Sequence, residues 1–279
     1  MGIFGRIDTF ITWFDGVVWG LPLIILILVT GIFLTVRLGL LQVRYLGKAL
    51  KFMVKNEEDG HGEVTSFGAL CTALSATIGT GNIVGVATAI SAGGPGALFW
   101  MILTAFLGMA TKYSEGLLAV KYRTIDEDGH VLGGPFYYIE NGMGVKFRWL
   151  AKIFAFFGAG VGLFGIGTFT QVNGISSAVR NFFDPDMAHT VALFGNDYSW
   201  ATVISCLVLT VCVGMVVLGG IKRIAKVSEI VVPFMAVLYV VLAVIIMVTN
   251  ITAIPAAIVT IVKSAFTGSV TGRLAQWEV

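Results

Sequence analysis

The sequence predicts an all-α, polytopic membrane protein with six transmembrane helices, and three observations carry that prediction. Of its 279 residues, 57% are hydrophobic and 12% charged, with a mean hydropathy of +0.90. That composition excludes soluble globular, disordered and nucleic-acid-binding classes and makes the lipid bilayer the chain's principal surroundings. Residues 64 to 111 form 48 consecutive positions without a charge, about what two helical crossings of a ~30 Å hydrocarbon core require. Finally, Lys and Arg gather in alternate connecting segments.

Charge-free windows of roughly 20 residues or more define the spans. The first lies within 16–36. Gly93-Gly94-Pro95-Gly96 divides the long window into a second helix over about 66–91 and a third over about 97–121. A fourth is expected over about 152–180, a fifth over about 200–220 and a sixth over about 229–249, with Pro233 near its first turn, where a missing N–H costs little. The loops 37–63 (Arg37, Arg44, Lys48, Lys51, Lys55), 121–152 (Lys121, Arg123, Lys146, Arg148, Lys152) and 219–228 (Lys222, Arg223, Lys226) carry thirteen cations. Arg6, Arg180, Lys263 and Arg273 fall to the other side, and Lys112 lies inside the third helix. The positive-inside rule then makes the three rich loops cytoplasmic and places both the N-terminus and residue 279 outside the cell membrane. Arg44, Lys48, Lys51 and Lys55 fall opposite Leu46, Leu50 and Met53, which fits either a short helix on the inner membrane surface or a solvated basic linker. The first residues lack a basic n-region and cleavage site, so insertion is expected to rely on the first span.

Enzymatic chemistry finds no support. His61, His130 and His189 sit in polar loops without a second ligand at metal-binding spacing. Cys71, Cys206 and Cys212 lie in apolar spans and read as helix-packing residues rather than a disulfide framework. Gly79-x-Gly81-x-x-x-Gly85 has one residue too many for a dinucleotide fingerprint and does not follow a strand. Ionisable residues occur in the spans only near cytoplasmic ends, as with Lys112 and Glu115, so no proton pathway is evident.

The second span is the informative one. Of residues 66–91, 17 are Gly, Ala, Ser, Thr or Cys, and Gly79-Thr80-Gly81-Asn82 is too flexible for an ordinary lipid-facing helix. A helix that unwinds within a bilayer frees backbone groups that a ligand, an ion or water must satisfy. The positive end of the helix restarting after Gly81 suits a carboxylate. Carbonyls freed near Ser75 to Ile78, with the Thr77 and Asn82 side chains, are hard oxygen donors suited to an alkali cation, so coupling to Na⁺ is the expectation. Each feature has a plainer reading. Gly81-x-x-x-Gly85 also fits a helix-packing face, as Gly158, Gly162 and Gly165 are expected to form in the fourth span, and Gln171 also fits an interhelical hydrogen bond.

Asn82-Ile83-Val84-Gly85-Val86-Ala87-Thr88-Ala89-Ile90 after Gly79-Thr80-Gly81, followed by Gly93-Gly94-Pro95-Gly96 and Lys112-Tyr113-Ser114-Glu115, resembles the alanine or glycine:cation symporter family, also called sodium:alanine symporters or amino-acid carrier proteins. Gly133-Gly134-Pro135-Phe136 and Gly219-Gly220-Ile221-Lys222-Arg223 resemble further signatures, and the likeness runs from the first span to about Gly268. The resemblance implies a leucine-transporter-type fold, of which this chain would hold one extra N-terminal helix (about 16–36), the first five-helix inverted repeat (about 64–250) and the start of the following segment (251–279), all in one transmembrane domain. It implies that Thr80 and Gly81 meet the carboxylate of a small neutral amino acid such as alanine or glycine. Ser75, Thr77, Ile78 and Asn82 would lie near Na⁺, with Asn82 also near the substrate. Gln171 would line the substrate cavity, and Phe164 and Phe169 would form its apolar wall. Family members continue through five more helices, whereas this sequence stops at Thr271-Gly272-Arg273-Leu274-Ala275-Gln276-Trp277-Glu278-Val279. A single repeat is therefore expected not to transport alone. The alternative reading is a non-transporting membrane subunit or remnant that needs a separately encoded C-terminal half as its partner.

Overall fold

The computed structural model describes residues 3–54, 64–165, 167–193 and 195–267; Lys55, His61, Arg273 and the terminal stretch 271–279 lie outside them. Helix α1 (Ile3–Val18) precedes α2 (Leu21–Arg37), whose start is set by Gly20 and by Pro22 in its first turn. Two short helices follow, α3 (Leu41–Arg44) and α4 (Leu46–Val54). Lys48 and Lys51 therefore lie on a helix with Leu46 and Leu50, while Arg44 ends the separate helix α3. Arg44 and Lys48 both approach the Tyr45 ring, at 5.8 and 5.1 Å.

Helix α5 (Ser66–Thr77), a π-helical turn (Gly81–Gly85) and α6 (Val86–Gly93) together make one interrupted span, and α7 (Gly96–Lys121) crosses back. The next connection holds a hairpin, β1 (Thr124–Ile125) antiparallel to β2 (Val131–Leu132), and α8 (Pro135–Met143). Then come α9 (Arg148–Phe164), α10 (Thr168–Phe183), a second antiparallel hairpin of β3 (Thr190–Leu193) with β4 (Asn196–Ser199), α11 (Trp200–Val217), α12 (Gly220–Thr249) and α13 (Ile254–Phe266). Among the described residues five helical segments, with α1–α2 and α9–α10 each taken as one, are long and apolar enough to cross a membrane, and the bent α5–α6 pair makes a sixth if it is one span.

Three departures from the sequence reading have local causes. The fourth span, expected over about 152–180, falls within one candidate span, Val145–Phe183, but its helix is interrupted: Gly165 closes α9 in a left-handed conformation (φ 62°) and Gly167 also has positive φ (91°), so α10 starts as a new helix. The basic 219–228 segment is helix rather than loop. Only Leu218 and Gly219 separate α11 from α12, and Arg223 bridges the turn by donating to Met215 O at 2.9 Å. Pro233 consequently lies inside α12, where its ring removes a helical donor, rather than in a first turn. The expectation that Gly158 and Gly162 form a packing face also fails among the described residues, since a side chain at either would meet open space.

Packing is inverted relative to a soluble protein. The buried apolar residues are small, Cys71, Ala110, Ala151, Ala201, Ala225, Val232 and Ala265, while large aliphatic side chains point outward along the spans. In lipid, helices gain by close backbone approach rather than by hiding large apolar groups from water. Helix α5 packs chiefly on α12, α2 on α7, and α10 on α11. Polar side chains join the elements: Gln42 donates to Thr35 Oγ1 (2.9 Å) and to Phe106 O (3.1 Å), tying α2 and α3 to α7. Thr65 caps α5 by accepting from Gly68 N at 2.9 Å, and its hydroxyl approaches Glu229 Oε1 of α12, also at 2.9 Å.

Asp184 fixes the end of α10 to the second hairpin. Its carboxylate accepts from Ser199 Oγ (2.5 Å) and Ala188 N (2.8 Å). The Ser199 hydroxyl, and after it the Ala188 amide, hold this carboxyl below the ordinary carboxylate range, outweighing the opposing effect of burial. A depressed folded-state value means that the stabilisation is complete above the ordinary carboxylate pKa and is lost as pH falls through the lowered one. Asp184→Ala should therefore speed hydrogen exchange across β3 and β4 at pH 7, and acidification should loosen the wild-type hairpin towards the mutant rate.

Candidate functional site

The interruption in the second span follows from its own side chains. Ser75 Oγ donates to Thr72 O (2.7 Å) and Thr77 Oγ1 to Ala73 O (2.9 Å), hydroxyl contacts that compete with the helical ladder and bend it. The last helical bond, Ile78 N to Leu74 O, is 2.7 Å; Ile78 then turns extended (φ −88°, ψ 112°) and the chain passes Gly79 and Thr80 before helix resumes at Gly81. The two halves are bent by 54°. Asn82 closes the gap from the far side: its amide donates to Gly79 O at 3.0 Å, and its Oδ1 accepts from Gly79 N at 3.4 Å.

Helix α10 meets the break. Gln171 Oε1 accepts from Thr80 N at 3.0 Å. One turn along, Gly174 admits the Thr80 methyl so closely that a Cβ at 174 would lie 2.5 Å from Thr80 Cγ2. A Cβ on Gly79 would likewise overlap the Gln171 amide. The structure thus brings Thr80, Gly79, Asn82 and Gln171 together, with Gly81 beside them facing open space. Ser75, Thr77 and Ile78 precede the break at the end of α5, with the Ser75 and Thr77 hydroxyls bonded back into that helix.

Phe164 and Phe169 are not brought in. They flank the second break and are 69% and 74% exposed. Phe169 lies two positions before Gln171, and residues two apart on a helix do not face each other. The sequence reading missed Gly174 and the second break. Both had a signal, since Gly174 is three residues from Gln171 and so shares its face, and Gly165-Ile166-Gly167 repeats the Gly-x-Gly spacing of residues 79–81.

The oxygens carried by this stretch are hard and neutral, although Ser75 and Thr77, two positions apart on α5, do not share a face. Ser75 and Thr77 hydroxyls give their protons to helix carbonyls, which leaves oxygen lone pairs free, and Asn82 adds a neutral carbonyl. Among the described residues no three His, Cys, Asp or Glu side chains converge. Hard, neutral oxygens fit Na⁺ better than a softer transition metal.

These features define a polytopic, all-α membrane protein with an interrupted span whose free backbone is met by a polar side chain from a second broken segment. The description of the Sodium:alanine symporter family matches residues 5–275, and the chain belongs to that family. Its members are transporters rather than enzymes, and Na⁺ is the coupling ion that the family implies. The chain is 46% identical over 273 residues to the sodium/alanine symporter AgcS of Methanococcus maripaludis, covering 94% of this chain and 56% of that protein. It is 52% identical over 260 residues to an uncharacterized transporter of Haemophilus influenzae (93% and 53% covered). It is 38% identical to the putative sodium/proton-dependent alanine carrier protein YrbD of Bacillus subtilis (97% and 53%). The chain spans about half the length of these curated relatives.

Proposed function

We propose that these spans hold the substrate and cation site of a Na⁺-coupled symporter for small neutral amino acids, alanine or glycine, in the cell membrane. The observation that carries the reading is the interruption at residues 78–80 inside an apolar span, with Thr80 N–H directed at Gln171 rather than into a helix. The substrate carboxylate takes backbone N–H groups at Thr80 and Gly81, where the restarted helix is positive. Gln171 and Asn82 flank it. Na⁺ is held by Ser75, Thr77, Asn82 and the Ile78 carbonyl, and its charge offsets that of the carboxylate, so loading one favours loading the other. Alanine or glycine is the substrate class that the family and the sodium/alanine symporter relative favour. The leucine-transporter-type arrangement, with the first repeat over about 64–250, one extra helix before it, and the N-terminus outside, accommodates this site in the single transmembrane domain.

The test is uptake into proteoliposomes holding the full-length protein. An inward Na⁺ gradient should drive accumulation of radiolabelled alanine, and Gly81→Leu should remove uptake without removing the protein from the membrane. Uptake that follows a proton gradient and ignores Na⁺ would sink the coupling assignment, and full uptake by Gly81→Leu would remove the site.

A further inference from the structure

The amide reserved for a substrate carboxylate is already paired. Gln171 Oε1 accepts Thr80 N–H at 3.0 Å across the gap between the bent span and α10. Its side-chain amide rests on Gly79 so closely that a Cβ there would overlap Nε2 and come within 2.9 Å of Oε1. Only a residue without a side chain lets the amide lie against the backbone in this way. Gly174, on the same face of α10, seats the Thr80 methyl, so residues 79 and 80 are fitted to α10 at two points. Gln171 is itself exposed, which leaves the contact open to displacement by a ligand.

A backbone N–H has one proton to donate, so a carboxylate and Gln171 Oε1 compete for Thr80. We propose that Gln171 is an internal stand-in for the substrate carboxylate and thereby a specificity-determining residue: a ligand enters only if its acceptor outbids a neutral amide oxygen. This rests on the amino-acid reading above. A hydrogen bond to an ionised acceptor is roughly twice as strong as one between neutral groups. A free carboxylate therefore displaces the Gln171 oxygen, whereas the carbonyl of an amide or ester only matches it. Once displaced, Gln171 retains two N–H donors to turn toward the bound carboxylate.

The experiment uses the full-length protein in nanodiscs and two readouts: hydrogen exchange at the Thr80 amide without substrate, and binding of alanine and of alaninamide in Na⁺. Gln171→Ala should speed Thr80 exchange by about 2- to 10-fold, the range expected for one net hydrogen bond, and should tighten alaninamide binding by a similar factor. Gly79→Ala, which evicts Gln171 without deleting it, should speed the same amide. Unchanged exchange with intact alanine binding overturns the stand-in alone, as does alaninamide that binds no tighter to Gln171→Ala. Faster exchange in a protein that never binds alanine overturns the amino-acid reading beneath it.

Discussion

Gly174→Val should abolish Na⁺-dependent alanine binding while leaving the protein folded in the membrane. A Cβ at 174 would stand 2.5 Å from Thr80 Cγ2 and 3.4 Å from Thr80 Cβ, and the branched Val carries two further methyl groups toward the same place. Thr80 is the N-cap of the restarted helix and its N–H goes to Gln171 rather than into a helical bond, so it yields before α10 does. Its N–H then leaves the position where Gln171 and, by our reading, the carboxylate find it. Each hydrogen bond to a charged group contributes ~1.5–3 kcal/mol, so affinity should fall by about 10- to 100-fold for every N–H misplaced. Gly162→Val on α9 is the control, because a Cβ there meets nothing within 4 Å. Calorimetric titration with alanine distinguishes the two, and equal affinities would show that the α10 face does not position the break.

Gly96→Val should detach α13 from α7. At Gly96 an added Cβ would lie 2.5 Å from Ser264 C and 2.6 Å from Ala265 N, backbone atoms that cannot swing aside as a side chain would. The same contact aligns Trp100 Nε1 with Ala265 O at 3.2 Å and sets Phe266 edge-on to Phe99 and Trp100, with ring centroids 5.3 and 5.9 Å apart. Overpacking of a tight contact costs about 1–3 kcal/mol, and the lost indole hydrogen bond adds ~1 kcal/mol. Hydrogen exchange over Ile254–Phe266 should rise sharply, while α5 and α12, which pack chiefly on each other, keep their protection. Unaltered protection in α13 would mean that the docking at Gly96 is dispensable.

The legible part of this fold was the part written in long apolar windows and in backbone-permissive residues. Gly79-Thr80-Gly81-Asn82 announced an interrupted helix because no packing requirement explains Asn and Thr beside two glycines in an apolar span. The break falls at residues 78–80, within that cluster. Gly165 and Gly167 carried the same signal but lay among Gly158, Gly160 and Gly162, where small residues read as a packing stripe, and only their positive φ separates a terminator from a spacer. Charge misled at Lys222, Arg223 and Lys226, which resemble a loop by composition yet lie on the first turns of α12. Cations at the end of a membrane helix reach water on long stems, so they mark the interface rather than the end of the helix. Pairings between distant segments, such as Gln171 with Thr80 and Gly96 with Ser264, depend on how helices cross and leave no periodic trace in a single sequence. Phe164 and Phe169, which the family resemblance implied as an apolar wall, are exposed on either side of the second break.

The central claim is that the break at residues 78–80 binds an amino-acid carboxylate and Na⁺ together. Titrating the purified full-length protein with alanine at several Na⁺ concentrations, choline replacing Na⁺ at constant ionic strength, tests it most directly. The account predicts saturable binding whose apparent Kd falls as Na⁺ rises, and by linkage a Na⁺ affinity that rises with alanine by the same factor. Alanine affinity that is indifferent to Na⁺ would contradict it.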